Sequence, residues 1–352
     1  MSEKNVFILL TPHSYMNACE LQYKFKLPEE SLYIYFLTEH RESLRQIENI
    51  MVSTSLGGIS WGATRFLFGR NGRKIGKNKV SEILFFIRNF VYILCLSIRI
   101  SRVRRLVIGN ILNPWMRFLV SNSRAEEIII LDDGNATIPI LLENKNIEEQ
   151  FRIPPQLKTR KNRLMSRLQN SPVMNNRLKF FTVFDSWDKS HSLIKISNDL
   201  DYMKQFTSSF ERSSEVLFIG SPLVNFGLVS KEVFQQLVLY LQKFFDVHEL
   251  VYVRHRTESE EFSGNLKCVI PDKPIELYLL ENKILPPIVA SFFSTAGINL
   301  HRIFGNRLQI INMRIPDYLI TNPQYSNLLK VLSDYYRKQE NEYFRIIEID
   351  VN

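Results

Sequence analysis

Short apolar runs rich in β-branched and aromatic residues alternate with longer stretches of helical periodicity along most of the chain, and this restricts the fold more than any other feature. Asn5–Leu10 (NVFILL), Leu32–Leu37 (LYIYFL), Arg105–Ile108 (RLVI) and Glu127–Leu131 (EIIIL) read as strands. Tyr15–Lys26 and Val80–Ser101 read as helices, and Lys179–Phe184 (KFFTVF) as the last strand of a first half. A second alternation follows, with strands at Glu215–Ile219, Glu249–Val253, Lys267–Ile270, Pro287–Phe292 and Gln309–Asn312. Its helix Ser230–Phe245 has apolar residues at helical spacing and Ser230 as N-cap. Strands flanked in sequence by helices point to a parallel sheet covered on both faces. The expectation is an α/β chain of two Rossmann-like domains facing a central cleft, residues 1–205 and 206–352, with a polar linker at Ser197–Ser214. Lys145–Arg177, polar, basic and Pro-containing, reads as a long loop or lid.

The length of 352 residues suits two domains at ~100–200 residues each. Cys19, Cys95 and Cys268 are far apart and form no CxxC pair, which argues against a disulfide framework or zinc site and fits a reducing compartment. The start, MSEKNVFILLTP, lacks the charged and long apolar regions of a secretory signal, so the cytoplasm is expected. Ile83–Ile100 is strongly apolar, but Arg88, Asn89 and Arg99 interrupt it. A spanning helix is not expected there. A buried helix under a sheet is the first reading, and attachment to the anionic lipid of the inner membrane the second.

A net charge of +9 favours anionic partners. Basic residues gather at Arg70, Arg73, Lys74, Lys77 and Lys79, and again from Arg152 through Lys158, Arg160, Lys161, Arg163 and Arg167 to Arg177. They read as solvated loops or as a surface that meets lipid headgroups or an anionic acceptor. The clusters contain few aromatics and match no nucleic-acid-binding motif, so nucleic acid is not expected as a partner.

Four strand ends carry residues with chemistry. Asp132-Asp133-Gly134 follows Ile128–Leu131, where two adjacent carboxylates suit either a base in a cleft or a solvated turn. Gly220-Ser221-Pro222 follows Val216–Ile219 and lets the backbone lie close to a ligand, though turns use these residues widely. Arg254-His255-Arg256 ends another strand and is a natural phosphate receptor. Ser294-Thr295 precedes small residues that open a helix, an anion site in waiting. Glu276, before an apolar helix, suits a ribose acceptor or a plain helix-start acid.

In this order the motifs resemble the bacterial sialyltransferases of glycosyltransferase family 52, the lipooligosaccharide sialyltransferase group. The similarity runs in short blocks over nearly the whole chain: Asn5–Leu21, Asp132–Gly134, Gly220–Pro222, Tyr252–Arg256, Pro274–Glu276 and Phe292–Gly297. The resemblance implies a GT-B fold, a CMP-sialic-acid-type donor as substrate, a glycan acceptor of lipooligosaccharide, lipopolysaccharide or capsule, inversion, and neither cofactor nor metal. It implies that Asp133 is the general base and Asp132 its orienting neighbour. His255 would assist the departing phosphate, and Ser294 and Thr295 would bind it. Glu276 would hold the ribose, with Gly220, Ser221, Pro222, Arg254 and Arg256 completing the donor side and His13 and Asn17 on the acceptor side. Two departures stand out: Arg256 follows His255 where the family has proline, and Leu223 stands where some members carry an acid after Gly-Ser-Pro.

Two rivals remain: a glycosyltransferase using another nucleotide sugar for surface polysaccharide, and a non-enzymatic basic capsule-assembly protein. A two-fold homodimer is compatible with each.

Overall fold

Every strand pair in the two large sheets is parallel. This computed structural model describes residues 2–38, 41–53, 61–66, 79–142, 178–185, 194–246, 249–258, 266–322 and 324–350. The chain divides into two compact units, Met1–Asp133 with Ile140–Asn198, and Gly134–Pro139 with Asp199–Asn352.

In the first unit the strands are β1 (Ser2–Leu9), β2 (Leu32–Phe36), β3 (Ala63–Phe66), β4 (Val103–Ile108), β5 (Glu127–Leu131), β6 (Leu178–Thr182) and β7 (Ile194–Ser197). They lie in the order β3-β2-β1-β4-β5-β6-β7. The described helices are α1 (Pro12–Phe25), α2 (Arg41–Val52), α3 (Lys79–Arg99) and α4 (Pro114–Ser121); α5 (Thr137–Leu142), after β5, is shared between the units, its first three residues belonging to the second. Thr11 and Pro12 fix the start of α1: the Thr11 hydroxyl accepts the Ser14 N–H, and proline occupies a position where no helical N–H bond is lost. Phe7, Ile8, Ile34, Leu106, Val107, Ile129 and Ile130 are fully buried, as a sheet covered on both faces requires.

The second unit contains α6 (Asp201–Lys204), β8 (Glu211–Arg212), β9 (Val216–Ile219), α7 (Lys231–Phe244), β10 (Leu250–Val253), β11 (Lys267–Val269), α8 (Ile275–Asn282), β12 (Ile284–Leu285), β13 (Ile288–Ser291), α9 (Thr295–Phe304), β14 (Gln309–Arg314), α10 (Gln324–Arg337) and β15 (Phe344–Glu348). Its large sheet runs β11-β10-β9-β13-β14-β15, and β12 pairs with β8 in a small separate one. Ser230 caps α7 as its sequence indicates. Phe218 centres the core, with ring centroids 4.8 Å from Phe292 and 5.7 Å from Tyr252. In both large sheets the strand order reverses direction beside the sheet's first strand, between β1 and β4 and between β9 and β13. In such sheets ligands bind outside the carboxyl ends at this switch point.

Two expectations are corrected. Ser197–Ser214 is not bare linker, since α6 and β8 lie within it; their brevity and polar composition hid them. The apolar run Ile83–Ile100 forms most of α3 but is not a buried helix. Asn89, Ile93, Leu96, Ser97 and Ile100 face inward, while Leu84, Ile87, Val91, Tyr92, Leu94 and Ile98 are exposed. A run apolar on every side cannot announce which side will be covered. Among the described residues no helix is long and apolar enough to cross a membrane. Lys145–Arg177 and both basic clusters lie outside the described residues, save Lys79 at the start of α3.

At the amino end of the first sheet Glu127 accepts from Arg105 and Lys179 of the neighbouring strands, at 2.5 and 2.6 Å. Partial burial raises its pKa, but the bonds and charges of Lys179 and Arg105 outweigh that and hold the carboxyl below its ordinary range. A depressed carboxyl stabilises the fold above its unfolded pKa of about 4.3, and that contribution is lost as pH falls through the depressed value. Glu127→Gln is therefore expected to unfold at lower urea than wild type at neutral pH, with the gap closing on acidification below about pH 4. A gap that stays constant across that range would remove the ion pairs from the account.

Candidate functional site

The first unit gathers polar side chains where β1, β4, β5 and β6 end. Asp132, with 0% exposure, leaves β5 and points inward. Its Oδ1 accepts from His13 Nε2 at 2.9 Å and Asn17 Nδ2 at 3.1 Å, and its Oδ2 from the Val183 N–H at 3.0 Å. Asn198 Nδ2 in turn donates to Asn17 Oδ1 at 2.9 Å. A buried carboxylate needs such donors, and this one has them from two separate segments, α1 and the residues after β6. Facing an acceptor, His13 carries a proton on Nε2.

Asp133 is half-buried, so its carboxylate can reach a ligand as that of Asp132 cannot. Asn110 Nδ2 donates to Asp133 Oδ2. Asn110 is itself fixed, because its Oδ1 accepts the Leu112 and Asn113 N–H groups at 2.6 and 3.1 Å. That leaves its amide nitrogen to face the acid. The sequence reading missed Asn110; its signal was a glycine and an asparagine at the end of the apolar strand β4. Gly109 is required there, since a Cβ would stand 2.8 Å from Ser14 Cβ.

In the second unit the Gly220, His255 and Ser294 segments follow β9, β10 and β13, around the switch point. Gly220 has no room for a side chain: a Cβ would lie 2.6 Å from Glu258 Oε2 and from the Tyr252 hydroxyl. Pro222 and Leu223 are buried, so Leu223 serves the core. Glu258, 7% exposed and also missed in the sequence, organises the loop after β10. Its Oε1 accepts from the Tyr252 hydroxyl at 2.7 Å and its Oε2 from the His255 N–H at 3.0 Å. Its carbonyl accepts from Arg254 Nε at 3.1 Å. Burial, then the Glu258 charge, push the Tyr252 phenol upward, which keeps it the donor of this pair.

His255 is half-buried. The Thr257 N–H donates to its Nδ1 at 3.3 Å, and the Thr257 hydroxyl lies 2.8 Å from the same nitrogen. A backbone N–H can only donate, so Nδ1 is the acceptor and the neutral ring carries its proton on Nε2. Arg254 and Arg256, on either side, are also half-buried.

Ser294 caps α9, its hydroxyl accepting the Ala296 N–H at 3.3 Å. Thr295 Oγ1 donates to Asn135 Oδ1 at 3.1 Å, and the Tyr336 hydroxyl donates to the same oxygen at 2.9 Å. Asn135 Nδ2 donates to the Phe293 carbonyl. Phe293 has φ +53°, a left-handed conformation costly for a residue with a Cβ, held here by that bond and by the Tyr336 ring 5.0 Å away. Glu276 is 4% exposed and accepts from Asn299 Nδ2 at 2.8 Å, tying α8 to α9. Both hydroxyls and this acid thus have internal roles that the sequence did not disclose.

Among the described residues no group of three His, Cys, Asp or Glu side chains is arranged to hold a metal ion. No protein-family model matches the chain, and a search of curated proteins finds no match.

Gly220→Ala is expected to cost about 1–3 kcal/mol by overpacking against Tyr252 and Glu258. Urea unfolding measures it, and wild-type stability would show that the loop has slack.

Proposed function

We propose that the chain is an inverting glycosyltransferase of the GT-B type that moves a sialic-acid-type sugar from its CMP-activated form to a glycan hydroxyl. The observation that most supports this is the His255 ring, whose Nδ1 is occupied by the Thr257 N–H so that Nε2 carries the proton between two arginines. Its place beyond the carboxyl end of β10, in a sheet with the Rossmann strand order, suits a nucleotide phosphate. The amino end of α9, beyond β13, adds a helix dipole of the sign an anion prefers.

In this reading the second unit binds the donor and the first the acceptor. Asp133, steadied by Asn110, removes the proton of the acceptor hydroxyl. That oxygen attacks the anomeric carbon as the bond to the CMP phosphate breaks and its electron pair leaves with the phosphate. His255 Nε2–H donates to the departing oxygen, and Arg254 and Arg256 offset its charge. Inversion demands a base on one side of the sugar and leaving-group assistance on the other, as in inverting glycoside hydrolysis. Asp132 acts at one remove, holding His13 and Asn17 in place.

Incubation with a panel of CMP-, UDP- and GDP-sugars, scored for nucleotide release with and without glycan acceptors, tests the reading. Release confined to CMP-nonulosonic acids is expected; turnover of UDP- or GDP-sugars alone would overturn the donor assignment. Asp133→Ala and His255→Ala are each expected to lose about 10²–10⁴-fold in transfer while still folding. Wild-type turnover by a folded Asp133→Ala protein would remove the base assignment. Ser294→Ala with Thr295→Val should weaken CMP binding, and unchanged affinity by calorimetry would refute the phosphate contact.

A further inference from the structure

Helix α3 packs against α4 through one face, where Phe86 lies 5.5 Å from Trp115 and Phe90 lies 6.1 Å from Phe118, ring centroid to centroid. The opposite face carries Leu84, Ile87, Val91, Leu94 and Ile98, with 62, 51, 50, 42 and 68% of their surface exposed. They are spaced three and four residues apart, so they form one continuous stripe about 21 Å long. Cys95 lies on the same face and is also exposed. A stripe of this size left in water is costly, and such surfaces mark an interface.

The charges around it select the partner. Arg88 and Arg99 are exposed along one border of the stripe, beside Tyr92 at 48%. From Leu84 to Arg99 the helix contains no aspartate or glutamate. Arg102 and Arg104, both exposed, continue the basic border past its carboxyl end. Arg124, also exposed, joins them through its N–H bond to the Ser101 carbonyl at 2.9 Å, with Glu126 the exposed acid there. A second copy of this face would bring arginines towards arginines with no acid between Leu84 and Arg99 to answer them. An anionic bilayer answers both features, taking apolar side chains below the headgroups and arginines among the phosphates. The helix is not long and apolar enough to cross.

We propose that the exposed face of α3 is a lipid-binding surface that lies along an anionic membrane, with Leu84, Ile87, Val91, Leu94 and Ile98 inserted and the arginines at its border on the headgroups. This surface belongs wholly to the first unit and does not rest on the sugar-transfer reading. No glycan or nucleotide is needed to test it.

The test uses the full chain and sedimentation with vesicles of phosphatidylcholine, alone or with about one third phosphatidylglycerol. Binding to the anionic vesicles, weakened about tenfold or more as salt rises from about 0.05 to about 0.5 M, is the expected result. A dye on Cys95, in a Cys268→Ser background, should shift to the blue on binding. Ile87→Asp with Val91→Asp should abolish sedimentation and the shift. Arg99→Glu with Arg102→Glu, which touches no apolar residue, should weaken the binding without altering the fold seen by circular dichroism. No binding to anionic vesicles, equal binding to neutral ones, or unchanged binding by both variants would overturn the proposal. So would a solution dimer dispersed by Ile87→Asp with Val91→Asp, which would assign the stripe to a second copy.

Discussion

Burial of the Asp132 carboxylate is the constraint on which the polar end of the first unit depends. A charge with no exposed surface is tolerated only where donors surround it, and here they come from α1, through His13 and Asn17, and from the segment after β6, through Val183. The acid therefore ties together chain segments far apart in sequence. Its neighbour Asp133, turned outward by one residue, inherits a fixed backbone and accepts from Asn110. Loss of the Asp132 charge would leave His13, Asn17 and a backbone N–H without their common acceptor, so its effects would spread well beyond one side chain.

The second unit repeats the principle with a different acid. Glu258 takes the Tyr252 hydroxyl from inside the core and the His255 N–H from the loop, so one carboxylate couples sheet packing to the orientation of the imidazole. Gly220 makes this possible by leaving its side of the carboxylate empty. On the other flank of the switch point, Asn135 serves Phe293, Thr295 and Tyr336 at once. Both flanks are held by groups that can be satisfied in few arrangements.

The strands were legible because a parallel sheet covered on both faces demands nearly continuous apolar runs, and EIIIL and VLFI are such runs. The acids at Asp132 and Asp133 were visible as a pair at a strand end, but the burial that separates them was not. It depends on which carboxylate meets His13, a residue 119 positions away. Asn110 and Glu258 escaped notice for the same reason: an asparagine in a turn and a glutamate after a loop look ordinary until their partners are known. Glu276 stood out as an acid before an apolar helix, but sequence could not reveal that Asn299 would cover it. The open face of α3 was illegible because its inward and outward sides are equally apolar.

The position of Cys95 has a practical side. Cys19 is buried, and burial pushes its thiol far above the ordinary range, so it is poorly reactive. Cys95, by contrast, is exposed on the apolar face of α3. Stored in aerated buffer, the purified protein should accumulate covalent pairs through its exposed cysteines, Cys95 and Cys268. Their abundance would record handling history rather than physiology, and a fresh reductant would erase it.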